Sequence, residues 1–370
     1  MLIGVPKEIK NNEFRVGMTP ESVASARAHG HQVMVETNAG IGIGADDDEY
    51  RQVGAEIAGK AEDIFARADM IVKVKEPQAG ERAMLREEQI LYTYLHLAPD
   101  PKQTADLVNS GAVCIAYETV TDSFGGLPML KPMSQVAGRL SIQAGAFALE
   151  KSHGGRGVLL GGVPGVQPAK IVIIGGGVVG FNAAQMAVGL QADVTILDTN
   201  PYTIEKLNHF FGNTAKVIHS NKQALHDIVI DSDMVVGGVL VAGSSTPKLV
   251  TRDMLRNMRD GSVLVDVSID QGGCFETSKP TTHAEPTYII DGIVHYCVAN
   301  MPGAVPRTST YALNNATLPG LLAIADKGWR QALGDDEHLL HGLNVCQGKV
   351  TYKAVAEELG YTYVDAHEML

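Results

Sequence analysis

Short apolar runs alternate with polar, helix-like stretches through the first third of the chain. The apolar runs predict strands, and the stretches between them predict helices. One helix should begin at Thr19-Pro20-Glu21, because threonine is a good N-cap and proline suits the first helical position. The predicted strands are Leu2–Val5, Gln32–Val35, Met70–Val74, Ile90–Leu95 and Val113–Tyr117, and the other predicted helices are Asp47–Ala58, Gly80–Glu88 and Asp100–Ser110. This alternation is typical of a parallel sheet with helices on both faces.

Residues 169–298 repeat the same scheme. Six strands with crossovers between them predict a complete doubly wound, Rossmann-like sheet. The predicted strands are Lys170–Ile174, Asp193–Leu197, Lys216–His219, Met234–Val236, Ser262–Val267 and Ile293–Val298, and the predicted helices are Val178–Leu190, Tyr202–Phe211, Lys222–Ile228 and Arg252–Met258. Two further helices are predicted nearer the C-terminus, at Ser309–Lys327 and Lys349–Leu359.

Two stretches rich in glycine and proline, residues 125–132 and 301–307, separate the two patterns. Such stretches are typical of crossings between domains. We therefore predict an α/β protein in which a Rossmann domain, residues 129–304, is inserted into a discontinuous substrate domain made of residues 1–128 and 305–370. Two connections would form a hinge, and a hinge forms a cleft. Three consecutive domains are the alternative.

Composition narrows the class of protein. The chain has 370 residues, of which 45% are hydrophobic and 19% charged, as in a soluble protein of two domains. Its formal net charge of -12 argues against nucleic acid and anionic membrane surfaces as partners. Four cysteines without a C-x-x-C pair argue against a disulfide scaffold or a thiolate zinc site, and predict a reducing, cytoplasmic setting. Residues 171–192 carry no charge, but their glycines favour a strand, a turn and a helix over a membrane span.

The strongest local motif is a dinucleotide fingerprint. After the strand Lys170–Ile174 comes Gly175-Gly176-Gly177-Val178-Val179-Gly180, which fits G-x-G-x-x-G and leads into a helix. Gly175 would permit the tight turn, Gly177 the approach of a pyrophosphate, and Gly180 the close packing of helix on strand. The helix, beginning near Val178, would present N–H groups to the phosphates.

An acid ends the next predicted strand, as this fingerprint requires. Asp198 can accept both hydroxyls of the adenosine ribose and would repel a 2′-phosphate, so NAD is favoured over NADP. The alternative is that Asp198 caps the following helix.

Three residues of the first domain could bind a small carboxylic acid. Lys75 and His96 end predicted strands, and Arg15 lies in the loop after the first strand. Together they would supply an anion clamp and a titratable group, although each could be an ordinary solvated or structural residue. In the second domain, Asp270 lies just past a strand end and is a candidate catalytic acid, whereas Asp266 lies within the apolar strand and could be structural.

Several motifs together resemble the L-alanine dehydrogenase family over essentially the whole chain. They are Gly4–Glu8, Arg15–Pro20, Val74–Pro77, Tyr94–Ala98, Asp266–Gly273 and Tyr296–Thr310. The resemblance implies reversible oxidative deamination of L-alanine to pyruvate and ammonium with NAD as cofactor, in a homohexamer.

The resemblance also implies roles for residues. Arg15 and Lys75 would bind the substrate, and His96 and Asp270 would form the acid–base pair. The NAD site would further include Ser134, Asp198, Ser220, Val239, Leu240, Val267, Lys279, Val298, Asn300 and Met301. Family members often carry a basic residue at position 203, where this chain has Thr203, so it departs from the family at one adenosine-side contact.

Two other functions remain open at this point. The NAD-binding component of transhydrogenase resembles the same N-terminal motif, but the pair Lys75 and His96 favours the dehydrogenase. A catalytically silent NAD-sensing module would keep Asp198 and the glycines and bind no keto acid. No metal is predicted, because two histidines at this spacing, His338 and His341, are more often surface or core residues than metal ligands.

Overall fold

The computed structural model describes residues 1–239 and 246–370. Leu240, a predicted NAD contact, lies outside these described residues. The chain divides into two compact units, the first made of Met1–Met133 and Val305–Leu370 and the second of Ser134–Ala304. The first division falls five residues after the predicted boundary at residue 128, inside the helix Lys131–Ala148. Pro132 stands in the first turn of that helix, where proline is tolerated.

The elements of the chain before the first division are all short. They are β1 (Leu2–Val5), α1 (Pro20–Ala28), β2 (Gln32–Glu36), α2 (Asp47–Gln52), β3 (Glu56–Ala58), α3 (Ala61–Arg67), β4 (Met70–Val72), α4 (Ala79–Arg82), β5 (Ile90–Thr93), α5 (Pro101–Ser110) and β6 (Val113–Ala116). Helix α1 is capped by the Thr19 side chain with proline in its first turn, as its sequence indicates.

The middle of the chain begins with the helix that crosses the division. Its elements are α6 (Lys131–Ala148), β7 (Lys170–Ile174), α7 (Val178–Gly189), β8 (Asp193–Asp198), α8 (Pro201–Phe211), β9 (Lys216–His219), α9 (Lys222–Ile230), β10 (Met234–Gly237), α10 (Arg252–Leu255), β11 (Val263–Asp266), β12 (Thr287–Ile290) and β13 (Ile293–Tyr296). The uncharged stretch 171–192 thus forms β7, the glycine turn and α7. Among the described residues, no helix is both long and apolar enough to cross a membrane.

The last part of the chain returns to the first unit. It contributes α11 (Pro306–Lys327), α12 (Trp329–Asp335), α13 (Glu337–Leu340), β14 (Leu343–Cys346), β15 (Lys349–Val350) and α14 (Lys353–Leu359).

The sheet of the first unit has the order β15-β14-β6-β5-β4-β1-β2-β3. Strands β1 to β6 are parallel and run in the spatial order 3-2-1-4-5-6, and β14 and β15 add antiparallel at one edge. Successive residues of β4 enter different apolar clusters, Met70 and Val72 one and Ile71 the other. Both faces are therefore covered, as a parallel sheet requires.

The sheet of the second unit repeats that order. It runs β12-β13-β11-β10-β7-β8-β9, which is again 3-2-1-4-5-6 for the parallel strands, with β12 antiparallel at the edge. In each sheet the order reverses between the first and fourth parallel strands, at β1/β4 and at β7/β10. The predicted class of two doubly wound α/β sheets is confirmed.

Several predicted elements were wrong in detail. The helix predicted over Asp47–Ala58 ends at Gln52, because Gly54 takes a left-handed φ of +89° and the chain then continues into β3. The helix predicted over Lys349–Leu359 is divided into β15 and α14. Helices α3 and α6, the edge strand β12 and the strand β14, which lies between β15 and β6, are not predicted from the sequence.

Candidate active site

The glycine turn after β7 has the three properties that the fingerprint predicts. Gly175 adopts φ +94°, a conformation that L side chains rarely take. A Cβ on Gly180 would stand 1.7 Å from the Gly175 carbonyl oxygen, so only glycine allows this close approach. A Cβ on Gly177, by contrast, would meet no described heavy atom within 4 Å beyond its chain neighbours. Among the described residues, nothing therefore fills the position where a pyrophosphate would approach α7, which begins at Val178.

Asp198 ends β8 and is tied to that turn. One carboxylate oxygen accepts the Gly176 N–H at 2.6 Å, and the other accepts the Asn200 N–H at 2.7 Å. The side chain of Asn200, not of Asp198, caps α8, so the capping alternative for Asp198 is wrong. A carboxylate has about four acceptor positions, so two bonds leave capacity for ribose hydroxyls.

Other predicted cofactor contacts lie near the carboxyl ends of neighbouring strands. Ser220 follows β9 and donates its N–H to the Asp198 carbonyl at 2.8 Å. Val239 follows β10, and its Cγ2 lies 3.3 Å from where a Gly175 Cβ would stand. Val267 follows β11 and donates its N–H to Gly237 at 2.9 Å. This places the three residues at the carboxyl-end edge of the second sheet, the side on which doubly wound folds bind dinucleotides.

The remaining predicted contacts belong to other segments of the second unit. Ser134 lies in α6, one turn before Gly138, where a Cβ would come within 2.2 Å of the Val179 carbonyl oxygen of α7. Lys279 is exposed, with its ammonium 4.4 Å from the centre of the Tyr288 ring. The segment from buried Val298 through Asn300 to buried Met301 follows β13, and Asn300 has a left-handed φ of +65°.

In the first unit, the structure gathers the three predicted substrate residues at one edge of the sheet. Arg15 lies in the loop after β1, Lys75 follows β4, and His96 follows β5. These strands are neighbours, and β1 and β4 flank the point where strand order reverses. The edge therefore carries the basic groups at the position where open α/β sheets bind ligands.

Arg15 is buried and held by a residue that the sequence argument missed. Its Nε and Nη2 donate to the two oxygens of Glu13 at 2.7 and 2.5 Å, and Nη1 contacts the Met133 sulfur at 3.1 Å. Burial lowers the pKa of Arg15, but the hydrogen bonds and charge of Glu13 outweigh burial and hold it above its ordinary value. Glu13 thus fixes the plane of the guanidinium through its Nε and Nη2 edge.

His96 stands in a constrained backbone conformation. Its φ is +51°, uncommon for a residue other than glycine. Glu118 accepts the N–H groups of Leu95 and His96, the latter at 2.6 Å, and its Oε1 lies 3.9 Å from His96 Nδ1. The ring stacks on Tyr94 with 5.9 Å between ring centres, and 45% of the side chain is exposed. An exposed imidazole beside a carboxylate is suited to proton transfer.

The two acids after β11 have different surroundings. Asp266 is buried and accepts hydrogen bonds from the N–H groups of Ser268 and Cys274 and from the Ser278 hydroxyl. Burial raises its pKa while these hydrogen bonds oppose the rise, so Asp266 is a structural clamp for the chain that follows β11. Asp270 is exposed on the one-turn helix Ile269–Gln271. Asp266 is thus buried and Asp270 accessible to solvent, and the catalytic role of Asp270 stays a prediction.

Sequence reasoning missed Glu13 and Glu118. Glu13 lies two residues before Arg15, a spacing that offers a weak signal for an ion pair. Glu118 lies two residues past the end of β6, the strand that pairs with β5 before His96. A polar residue just past the carboxyl end of an adjacent parallel strand is a useful signal once the strand order is known.

One Rossmann-type sheet carries a complete dinucleotide fingerprint, and the other carries basic residues beyond the carboxyl ends of its strands. Together these features are typical of the class of dinucleotide-dependent enzymes. Comparison with known proteins narrows this class. Residues 4–137 match the family described as alanine dehydrogenase/PNT, N-terminal domain, and residues 141–353 match alanine dehydrogenase/PNT, C-terminal domain. The chain belongs to the alanine dehydrogenase/PNT family.

Relatives match this chain over its full length. It is 56% identical to an alanine dehydrogenase of Halomonas elongata and 49% identical to one of Mycolicibacterium smegmatis, in each case over 100% of both chains. A solved L-alanine dehydrogenase matches with a TM-score of 0.95 at 50% identity, over 97% of this chain and 99% of that one. A transhydrogenase from Sinorhizobium meliloti matches with a TM-score of 0.84 at 24% identity, covering 95% and 100%, and shows likeness of fold alone.

Proposed function

We propose that this protein is an NAD-dependent L-alanine dehydrogenase, which interconverts L-alanine and pyruvate with ammonium. The observation that carries the proposal is the placement of Arg15, Lys75 and His96 after three neighbouring strands, at the carboxyl-end edge of one sheet, in a chain whose other sheet has the dinucleotide fingerprint. The full-length identity to alanine dehydrogenases supports the same substrate. The transhydrogenase alternative is a distant relative only.

Substrate binding would rest on the two cations of the first unit. Arg15, whose plane Glu13 fixes, would pair with the substrate carboxylate, and Lys75 would hold the oxygen on the reacting carbon. Both ends of a small 2-oxo acid would then be fixed, which orients Cα for the reaction.

When bound, NAD supplies the hydride acceptor for the hydrogen on Cα of alanine. The protein's own residues would move the protons. A base must first keep the substrate amine neutral, and after hydride loss His96 or Asp270 would remove a proton from the water that attacks the iminium carbon. Lys75 would stabilise the oxygen of the resulting carbinolamine while ammonia departs. His96 has the exposure and the neighbouring Glu118 carboxylate that this proton transfer needs.

The NAD site would be built on the second unit. Gly177 leaves space for the pyrophosphate, and Val178 begins the helix whose free N–H groups would face it. Asp198 would accept the ribose hydroxyls, next to Ser220 and the glycine turn. Ser134, Val239, Val267, Lys279, Val298, Asn300 and Met301 are the further proposed contacts.

Removing the carboxylate of Asp198 is expected to change cofactor preference. In Asp198→Gly the negative charge that repels a 2′-phosphate is gone, so the ratio of kcat/KM for NADPH to that for NADH should rise by roughly tenfold or more, the effect of about 1.4 kcal/mol. The Gly176 N–H also loses its acceptor, so NADH itself should bind more weakly. Steady-state kinetics with both cofactors measure this. An unchanged ratio would remove Asp198 from the ribose site.

The activity itself is tested by following NADH oxidation with pyruvate, with and without ammonium. Oxidation that requires ammonium and yields L-alanine is the expected result. Oxidation without ammonium would indicate a 2-hydroxy acid as product, and absence of oxidation in both reactions would favour a silent NAD-sensing module.

We further propose a cytoplasmic homohexamer, with no nucleic-acid or membrane partner. The resemblance to the family supports the hexamer, and the acidic charge and dispersed cysteines support the setting. The mass of the particle in solution, measured by light scattering, tests the assembly.

A further inference from the structure

A fully buried lysine stands beside the proposed substrate site and takes no part in the mechanism above. Lys73 is 0% exposed, and its ammonium donates to Glu8 at 2.9 Å and to Glu81 at 2.8 Å. Burial lowers the pKa of Lys73, but the two carboxylates outweigh burial and hold it above its ordinary value. Breaking a buried ion pair leaves an uncompensated charge, so these three groups depend on one another.

Glu8 does more than neutralise Lys73. Its second oxygen accepts the N–H groups of Val74 at 2.7 Å and of Lys75 at 3.2 Å. Strand β4 ends at Val72, so these two N–H groups lie past its regular pairing with neighbouring strands. A carboxylate that receives both of them fixes the main chain on which Lys75 stands.

The opposite side of Lys75 is held as well. Its carbonyl oxygen accepts the Thr93 hydroxyl at 3.1 Å, at the end of β5. The position of the Lys75 backbone is therefore determined by Glu8 from the β1 loop and by Thr93 from the next strand. The position of the Lys75 ammonium depends on the position of the backbone that carries its side chain. A misplacement of 1 Å can lower the rate of a reaction by about 10²-fold.

We propose that Glu8 is a positioning residue for the reaction, which acts on the substrate through the main chain of Lys75, and that buried Lys73 is its counter-ion. The inference rests on the proposed function, since it assumes that Lys75 binds the substrate. The competing explanation is that Glu8 has a purely structural role. A substitution at Glu81 distinguishes these two explanations.

Glu81 provides a matched control, because it meets Lys73 as Glu8 does but holds a different N–H. Its second oxygen accepts the N–H of Gln78, at the start of α4, at 2.7 Å. In Glu8→Gln or Glu81→Gln the amide must turn its NH2 group toward either the ammonium or a backbone N–H. Both substitutions therefore remove one buried charge and create the same mismatch of donors.

The first experiment compares these two variants in the full-length enzyme. Glu8→Gln is expected to lower kcat/KM for pyruvate by roughly 10- to 10²-fold, whereas Glu81→Gln should stay within about twofold of wild type, the scatter of independent substitutions. Both should lose similar amounts of Tm, and both should bind NADH as wild type does. Equal losses of kcat/KM in the two variants would overturn the proposal.

A double-mutant cycle with Lys75→Ala tests whether the loss of kcat/KM in Glu8→Gln depends on Lys75. If Glu8 acts through Lys75, Glu8→Gln causes no further loss of kcat/KM once Lys75 is alanine. If Glu8 is only structural, the same fold loss appears in both backgrounds. Should Glu8→Gln fail to fold, Glu8→Asp keeps the charge opposite Lys73, withdraws the carboxylate from the two N–H groups and should show the same kinetic loss.

These results separate the inference from the proposed function. A wild-type enzyme that does not aminate pyruvate refutes the function. An active wild type with equal Glu8→Gln and Glu81→Gln variants refutes the inference alone.

Discussion

Replacement of His96 by alanine is expected to lower kcat for the reductive amination of pyruvate by roughly 10²- to 10⁴-fold, the usual size of an acid–base contribution. The imidazole would be lost from a position that the backbone holds at φ +51° beside Glu118, and water in its place has no comparable proton affinity at neutral pH. Steady-state kinetics with saturating pyruvate, ammonium and NADH measure the loss. Binding of NADH, followed by fluorescence, should be unchanged because the fingerprint lies in the other unit.

A surface histidine supplies the control. The side chain of His226 is 40% exposed on α9 and pairs with Asp227, and His226 is not among the proposed substrate, acid–base or cofactor residues. His226→Ala should keep the wild-type kcat. Near-normal turnover of His96→Ala would assign the proton transfer to Asp270 or to another group.

Gly180→Ala is expected to lower the stability of the second unit. Gly177→Ala is expected to weaken only the binding of NADH. The added Cβ of Gly180→Ala would stand 1.7 Å from the Gly175 carbonyl oxygen, so β7 and α7 must move apart. Overpacking of this kind costs about 1–3 kcal/mol, and here we expect the upper end or more. Thermal unfolding with and without NADH measures the loss of Tm and the loss of stabilisation by the ligand.

Gly177→Ala forms the matched comparison in the same turn. Its Cβ meets no described heavy atom within 4 Å beyond the chain neighbours, so the unfolding free energy should fall by less than about 1 kcal/mol, the cost of a poorer N-cap. The same methyl group would occupy the space proposed for the pyrophosphate, so the Kd for NADH should rise by at least about tenfold. A variant that binds NADH normally would place the pyrophosphate elsewhere.

Local patterns predicted the second unit better than the first. The strands β7 and β9 have the predicted bounds, because each is a short apolar run next to a distinct turn. In the first unit, β3 was assigned to a helix and β14 was missed. Strand β14 pairs antiparallel with β6, more than 200 residues earlier in the chain, and such pairing leaves no local signal.

The candidate site divides in the same way. Arg15, Lys75 and His96 could be chosen from the sequence because each follows an apolar run that reads as a strand, and parallel strands gather their carboxyl ends at one edge. The partners that hold these residues could not be identified from the sequence. Glu8 and Lys73 are 65 residues apart, and Glu118 is 22 residues from His96.

The sequence by itself determined the doubly wound class, the glycine turn with Asp198, and the basic residues at strand ends, because each is written in residues that are neighbours in the chain. Only the tertiary structure decided that Glu13 holds Arg15, that Glu118 holds the backbone of His96, and that Glu8 accepts the backbone N–H of Lys75. These pairings depend on which strands become neighbours and on which side chains are shielded from water. Both are set by the packing of the whole sheet.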